Sequence, residues 1–222
     1  MRVVIFGATG MVGAGALLEC LDDPRVASVL VVVRRPTGLT HPKLTEAVQA
    51  DFFRYDELRP RFAQCDACFF CLGVSSAGMS EAEYHHLTYD LTLAAAQAMV
   101  AANPHMTFCY VSGQGTDSTE RGRSMWARVK GQTENALLRL PFKAAYMLRP
   151  GLIQPLRGVR SRTRLYQAFY TAFGFLLPGL RRLAPGQITT TVNVGRALIR
   201  LAAEGYGSRI VLAADINRLA AA

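Results

Sequence analysis

Residues 2 to 13 read RVVIFGATGMVG, and the fold is decided there. The apolar run from Val3 to Phe6 ends in glycine, the pattern of a strand buried on both faces. Met11 to Leu21 continues with apolar residues at helical spacing until Asp22, Asp23 and Pro24 stop it. The connecting turn holds Gly7, Thr9, Gly10, Met11, Val12 and Gly13. In such a turn Gly7 permits the tight bend, Gly10 lets backbone N–H groups approach a pyrophosphate, and Gly13 lets the helix pack closely. The helix N-terminus adds partial positive charge. The spacing is G-x-x-G-x-x-G, one residue longer in its first half than G-x-G-x-x-G.

Outward from this turn, strand and helix patterns alternate. Strands are predicted at Val29–Val33, Leu44–Gln49, Ala67–Leu72, Met106–Ser112 and Ala144–Leu148, and a last one at Arg209–Ala213. Helices are predicted at Tyr55–Ala63, from a capping box at Ser80 and Glu83 to Ala102, at Ser124–Leu140, at Arg162–Leu177 and at Val192–Glu204. The alternation predicts an α/β fold, a Rossmann-type doubly wound parallel sheet. Residues 1–222 are expected to form a single domain in which about 151–205 supply a small C-terminal substrate or interface lobe.

Strand ends then supply the candidate cofactor residues. An NAD-selective site places an acid at the end of the second strand, whereas Arg34 and Arg35 stand there and suit a 2′-phosphate, so NADP is expected over NAD. Asp51 is expected to accept from the adenine amino group with Phe52 beside it, and Cys71, Leu72 and Gly73 to let the backbone pass the ribose.

These residues resemble the short-chain dehydrogenase/reductase superfamily in its atypical or extended, epimerase-like branch. Within that branch they are similar to the group like Tat-interacting protein 30. The resemblance runs through the GATGMVG loop, the CLG strand end at Cys71–Gly73, Ser112, the VKG segment at Val129–Gly131 and the RPG at Arg149–Gly151. It implies that Ser112 and Lys130 occupy catalytic positions and that Lys130, Pro150 and Gly151 border the cofactor. The superfamily places a proton-relaying tyrosine four residues before the lysine. Here that position is Trp126, whose indole is a donor only and does not titrate usefully. The ring is expected to border the nicotinamide, and Tyr110, Tyr84, Tyr89, Tyr166 and Tyr170 stand as substitutes that sequence does not rank. Two function classes therefore stay open: an oxidoreductase or epimerase-like enzyme on an unknown small substrate, and a cofactor-binding sensor or interaction module with weak chemistry.

Composition bounds the remainder. Half of the 222 residues are apolar and 18% are charged, which excludes a disordered chain and suits one core. Five scattered cysteines make no disulfide framework and the first apolar run is too short for a signal peptide, so a cytoplasmic location is expected. Cys65, Cys68 and Cys71 enter and occupy a strand, His85 and His86 are expected to diverge on a helix, and no metal site is expected. The net charge of +9 is uneven: residues 1–141 hold thirteen basic against fourteen acidic residues, and residues 142–222 hold twelve against Glu204 and Asp215 alone. Arginines at 157, 160, 162, 164, 181 and 182 flank the aromatic-rich run Leu165–Leu180. A lid or homodimer contact is the first reading of that run and a membrane-surface segment the second. Nucleic acid is not expected as a partner, because no binding motif accompanies the charge.

Overall fold

The computed structural model describes residues 1–159 and 186–221. Seven parallel strands form one sheet: β1 (Arg2–Phe6), β2 (Ser28–Val33), β3 (Leu44–Val48), β4 (Ala67–Phe70), β5 (Thr107–Val111), β6 (Ala144–Arg149) and β9 (Ile210–Leu212). Their order is β3-β2-β1-β4-β5-β6-β9. The order reverses between β1 and β4, where Phe6 pairs with both Val32 and Phe70. Helices leave the two strands on opposite faces there, so their C-terminal ends part into a crevice.

Strand alternation sorts the core onto the two faces. Val3, Ile5, Val29, Val31, Phe69, Cys109 and Leu148 face α1 (Met11–Asp22), α6 (Thr191–Glu204) and α7 (Ala213–Ala221). Val4, Phe6, Leu30, Val32, Phe70, Phe108, Tyr110 and Met147 face α2 (Arg59–Phe62), α4 (Leu91–Ala102) and α5 (Met125–Arg139). On the first face α1 and α6 touch through small residues: a Cβ on Gly15 would stand 2.6 Å from Thr191 Cβ, and one on Gly195 2.8 Å from Glu19 Cγ.

Three parts depart from the expected pattern. The helix opened by the Ser80–Glu83 capping box runs as α3 (Glu81–His85), a π turn at His86–Asp90 and then α4. The wider turn brings His85 Nδ1 to 3.5 Å and His86 Nδ1 to 2.9 Å from the same Asp90 carboxylate, so the two rings converge rather than diverge. After the sixth strand, β7 (Leu152–Gln154) and β8 (Ile188–Thr190) make a separate parallel pair that was not expected. The last strand stops at Leu212, because Ala213 already opens α7. The expected helix Arg162–Leu177 and the run Leu165–Leu180 lie outside the described residues. No described helix is long and apolar enough to cross a membrane.

Candidate functional site

A cleft of about 660 Å³ crosses the C-terminal ends of β1, β4, β5 and β6. One wall is the first turn. Gly7 has φ +79°, and a Cβ there would stand 2.7 Å from the backbone of Cys71 and Leu72, so the ends of β1 and β4 meet main chain to main chain. A Cβ on Gly13 would stand 2.1 Å from the Gly7 carbonyl oxygen, so this glycine lets α1 lie against its own loop. Gly10 caps α1 with no side-chain hydrogen bond and no acid follows in the first turn, which leaves the positive end of the helix to the cleft.

Thr9, Gly10, Met11, Val12, Arg34, Cys71, Leu72, Gly73, Ser112, Lys130, Pro150 and Gly151 join Gly7 in the cleft wall. Gly13, Arg35, Asp51 and Phe52 do not. Phe52 is buried, edge-on to Phe6 at 6.2 Å between ring centres, because Asp51 accepts from the Phe53 N–H at 2.8 Å and turns the chain inward. Bare backbone at Gly73 and Gly113 also lines the cleft, and a Cβ at either would meet no protein atom within 4 Å. The chain thus leaves room beside its main chain for the ribose and nicotinamide ends of a dinucleotide. The residues present fit such a group.

The far wall holds the polar centre. Lys130 Nζ donates to the Ser112 carbonyl at 2.6 Å and lies 5.7 Å above the Tyr110 ring. Burial pushes this ammonium down to about 8, against the pull of Glu134 one turn further along α5. The Ser112 hydroxyl has one hydrogen to give, and it is drawn inward by Glu134 Oε1 at 2.5 Å and the Leu148 carbonyl at 3.0 Å. Glu134 is fully buried; Arg149 Nε lies 3.1 Å from each of its oxygens, and Arg149 Nη2 donates to it as well. The same Nη2 donates to Ser118 Oγ at 2.5 Å. Sequence reading missed Glu134, although an acid four residues after Lys130 on a helix face otherwise made of Ala127, Gly131 and Leu137 was the available signal. Gly131 has its own reason: a Cβ there would stand 1.8 Å from the Asp117 carbonyl oxygen, so α5 rests directly on the loop that follows β5.

Of the expected tyrosine substitutes, the described ones do not line this wall. Tyr110 is sealed beneath Lys130 with its phenol pushed upward by burial, and Tyr84 is buried on α3. Tyr89 stacks on His85 at 4.5 Å, and Tyr166 and Tyr170 lie outside the described residues. Trp126 was expected to border the nicotinamide. Its ring instead packs toward Gly115, whose Cβ would stand 3.2 Å from it, and it is not part of the cleft wall. Among the described residues no group of three or more His, Cys, Asp or Glu is placed to hold a metal ion.

Comparison with known proteins agrees with this geometry. The sequence model of a family described as NAD(P)H-binding matches residues 7–145. The chain is 30% identical over 174 residues to "Protein fmp52, mitochondrial" of Emericella nidulans, covering 75% of this chain and 72% of that protein. It is 28% identical over 220 residues to "Protein fmp52-2, mitochondrial" of Aspergillus oryzae, covering 97% and 95%. In fold it is similar to a short chain dehydrogenase from Burkholderia cenocepacia solved in complex with NADP, with a TM-score of 0.67, 14% identity, and coverage of 99% of this chain and 91% of that one. The relatives named mitochondrial overturn the expectation of a cytoplasmic location. A few irregular cysteines fit any reducing compartment, so their pattern never separated one from another.

Proposed function

The chain belongs to the NAD(P)H-binding family, as an atypical member of the short-chain dehydrogenase/reductase superfamily, and on that premise we propose that it is an NADP(H)-dependent reductase of a small carbonyl compound. The observation that carries the reading is the composition of one continuous cleft. A glycine-lined helix N-terminus, Arg34 and a buried cation, Lys130, all stand in its wall. These groups match the pyrophosphate at the centre of an extended dinucleotide, the 2′-phosphate of its adenosine arm and the ribose of its nicotinamide arm. When bound, the reduced nicotinamide would supply a hydride. The chain's own contribution is to hold the ribose through Lys130, keep the cofactor extended along bare backbone, and leave room for a substrate near Leu152 and Ile153.

Arg34 carries the choice of NADP, because it enters the cleft wall and Arg35 does not. Charge-assisted hydrogen bonds to a phosphate are worth about 1.5–3 kcal/mol. Arg34→Ala is therefore expected to weaken NADPH roughly tenfold to a hundredfold and NADH by less than threefold, while Arg35→Ala changes either by less. Calorimetric titration of the three proteins with both cofactors decides this. Equal affinity of the parent for NADPH and NADH would remove the NADP assignment.

A second reading has one observation of its own, the tryptophan where a proton-relaying phenol is usual. It makes the protein a cofactor-binding sensor with weak chemistry. Saturable NADPH binding together with no NADPH oxidation across a panel of aldehydes, ketones and quinones would favour it over the reductase.

A further inference from the structure

We propose that Lys130 is itself the proton donor of this site, passing a proton from its ammonium group to the oxygen of the substrate carbonyl. The inference rests on the reductase reading above. Among the described residues the cleft presents three ionisable side chains: Arg34, Cys71 and Lys130. A guanidinium does not release its proton in proteins. Burial pushes the Cys71 thiol up to about 12, which makes it a weaker acid than the Lys130 ammonium, and the Cys71 main chain lies against the glycine turn. The Ser112 hydroxyl gives its hydrogen inward to Glu134 and Leu148, so toward the cleft it acts as an acceptor. Tyr110 is sealed under the lysine, and the Trp126 indole, outside the cleft wall, does not titrate in a useful range.

Lys130 has both the geometry and the acidity. One of its three N–H bonds is fixed on the Ser112 carbonyl, which aims the head group and leaves two for cleft ligands. The groups beside it are Glu134 on its own helix and Tyr110 from β5, and Arg34 and Cys71 share the cleft wall with it. Glu134 is already neutralised by Arg149, so the ammonium has no dedicated counter-ion, and burial brings it near the working pH. In the step, a hydride with its electron pair forms the new C–H bond at the carbonyl carbon, and the C=O π pair moves to oxygen. That oxygen takes one proton from Lys130, leaving alcohol, oxidised nicotinamide and a neutral amine that regains its proton from water.

Three lysines, Lys43, Lys130 and Lys143, make the test direct. In protein labelled at lysine Cε, the signal that disappears in Lys130→Met is expected to titrate near pH 8 in the absence of cofactor. Turnover in the reducing direction is expected to fall as pH rises through the same value. Lys130→Arg, which keeps the charge and cannot release the proton, is expected to bind NADPH within about fivefold of the parent. Its kcat is expected to fall at least a hundredfold, with the residual rate flat in pH. A Lys130 signal that titrates above pH 10, or a Lys130→Arg protein with the parent's kcat and pH profile, would overturn the proton-donor role. NADPH binding without turnover in the parent would instead overturn the reductase reading, and the donor role with it.

Discussion

A Gly13→Ala protein is expected to bind NADPH at least about a hundredfold more weakly than the parent, although the change adds a single methyl group. The methyl carbon would stand 2.1 Å from the Gly7 carbonyl oxygen, and the clash is with backbone on both sides. Relief requires the loop or the helix to move by about an ångström, the difference from ordinary van der Waals contact. The loop cannot retreat, because Gly7 already lies against the main chain of Cys71 and Leu72. The helix cannot retreat either, since Gly15 rests against Thr191 and Gly195 against Glu19. The displacement therefore falls on the N–H groups at the start of α1, the ones aimed at the pyrophosphate. Overpacking of this kind also costs about 1–3 kcal/mol of stability. Calorimetry with NADPH, beside a thermal melt, separates the two effects. Parent-like affinity would show that the first turn does not hold the cofactor.

The largest loss of stability is expected from Glu134→Ala. Its carboxylate is fully buried and satisfies Arg149 and the Ser112 hydroxyl together. Removing it leaves a guanidinium that is 14% exposed without its counter-charge, at a cost of about 3–5 kcal/mol. In a chain of this size that lowers the melting temperature by roughly 10 °C. Glu134→Gln keeps the shape and one acceptor oxygen, so it should cost less than the alanine. A double change of Glu134 and Arg149 to apolar residues should recover part of the loss, because the penalty comes from the orphaned charge and not from the pair as such. A fall of less than 1 kcal/mol for Glu134→Ala in denaturant titration would mean that water reaches Arg149.

The glycine turn and the doubly wound parallel sheet were legible in the sequence because parallel strands covered on both faces leave continuous apolar runs, and β1 and β2 are of that kind. β7 and β8 were not legible: three residues each carry no periodicity, and their pairing joins Leu152 to Ile188 across a long stretch of chain. The orientation of Phe52 depended on a local hydrogen bond from Phe53 to Asp51, which hydropathy does not register. Trp126 followed its helical spacing relative to Lys130, but the loop at Gly115 offered its ring a surface that spacing does not describe. Glu134 was hidden for a different reason. A carboxylate on a helix is by habit a solvated group, and only the return of the chain through Arg149 makes it an interior one.

The same displacement in sequence between an acid and its base sets a timetable for synthesis. Glu19 on α1 is buried and held by Arg157 Nη1 at 2.8 Å and Arg196 Nε at 3.1 Å, residues made 138 and 177 positions later. At ribosomal rates the second arrives roughly 10 to 35 s after the acid. A nascent chain that has reached residue 145, where the family match ends, has neither these guanidinium groups nor Arg149 for Glu134. Glu19 and Glu134 then wait for their partner arginines, and α1 for α6, whose Gly195 packs on Glu19. The arginines of the last third complete pairs whose acids come earlier in the chain. The end of the family match at residue 145 is thus not a point at which the molecule can be cut.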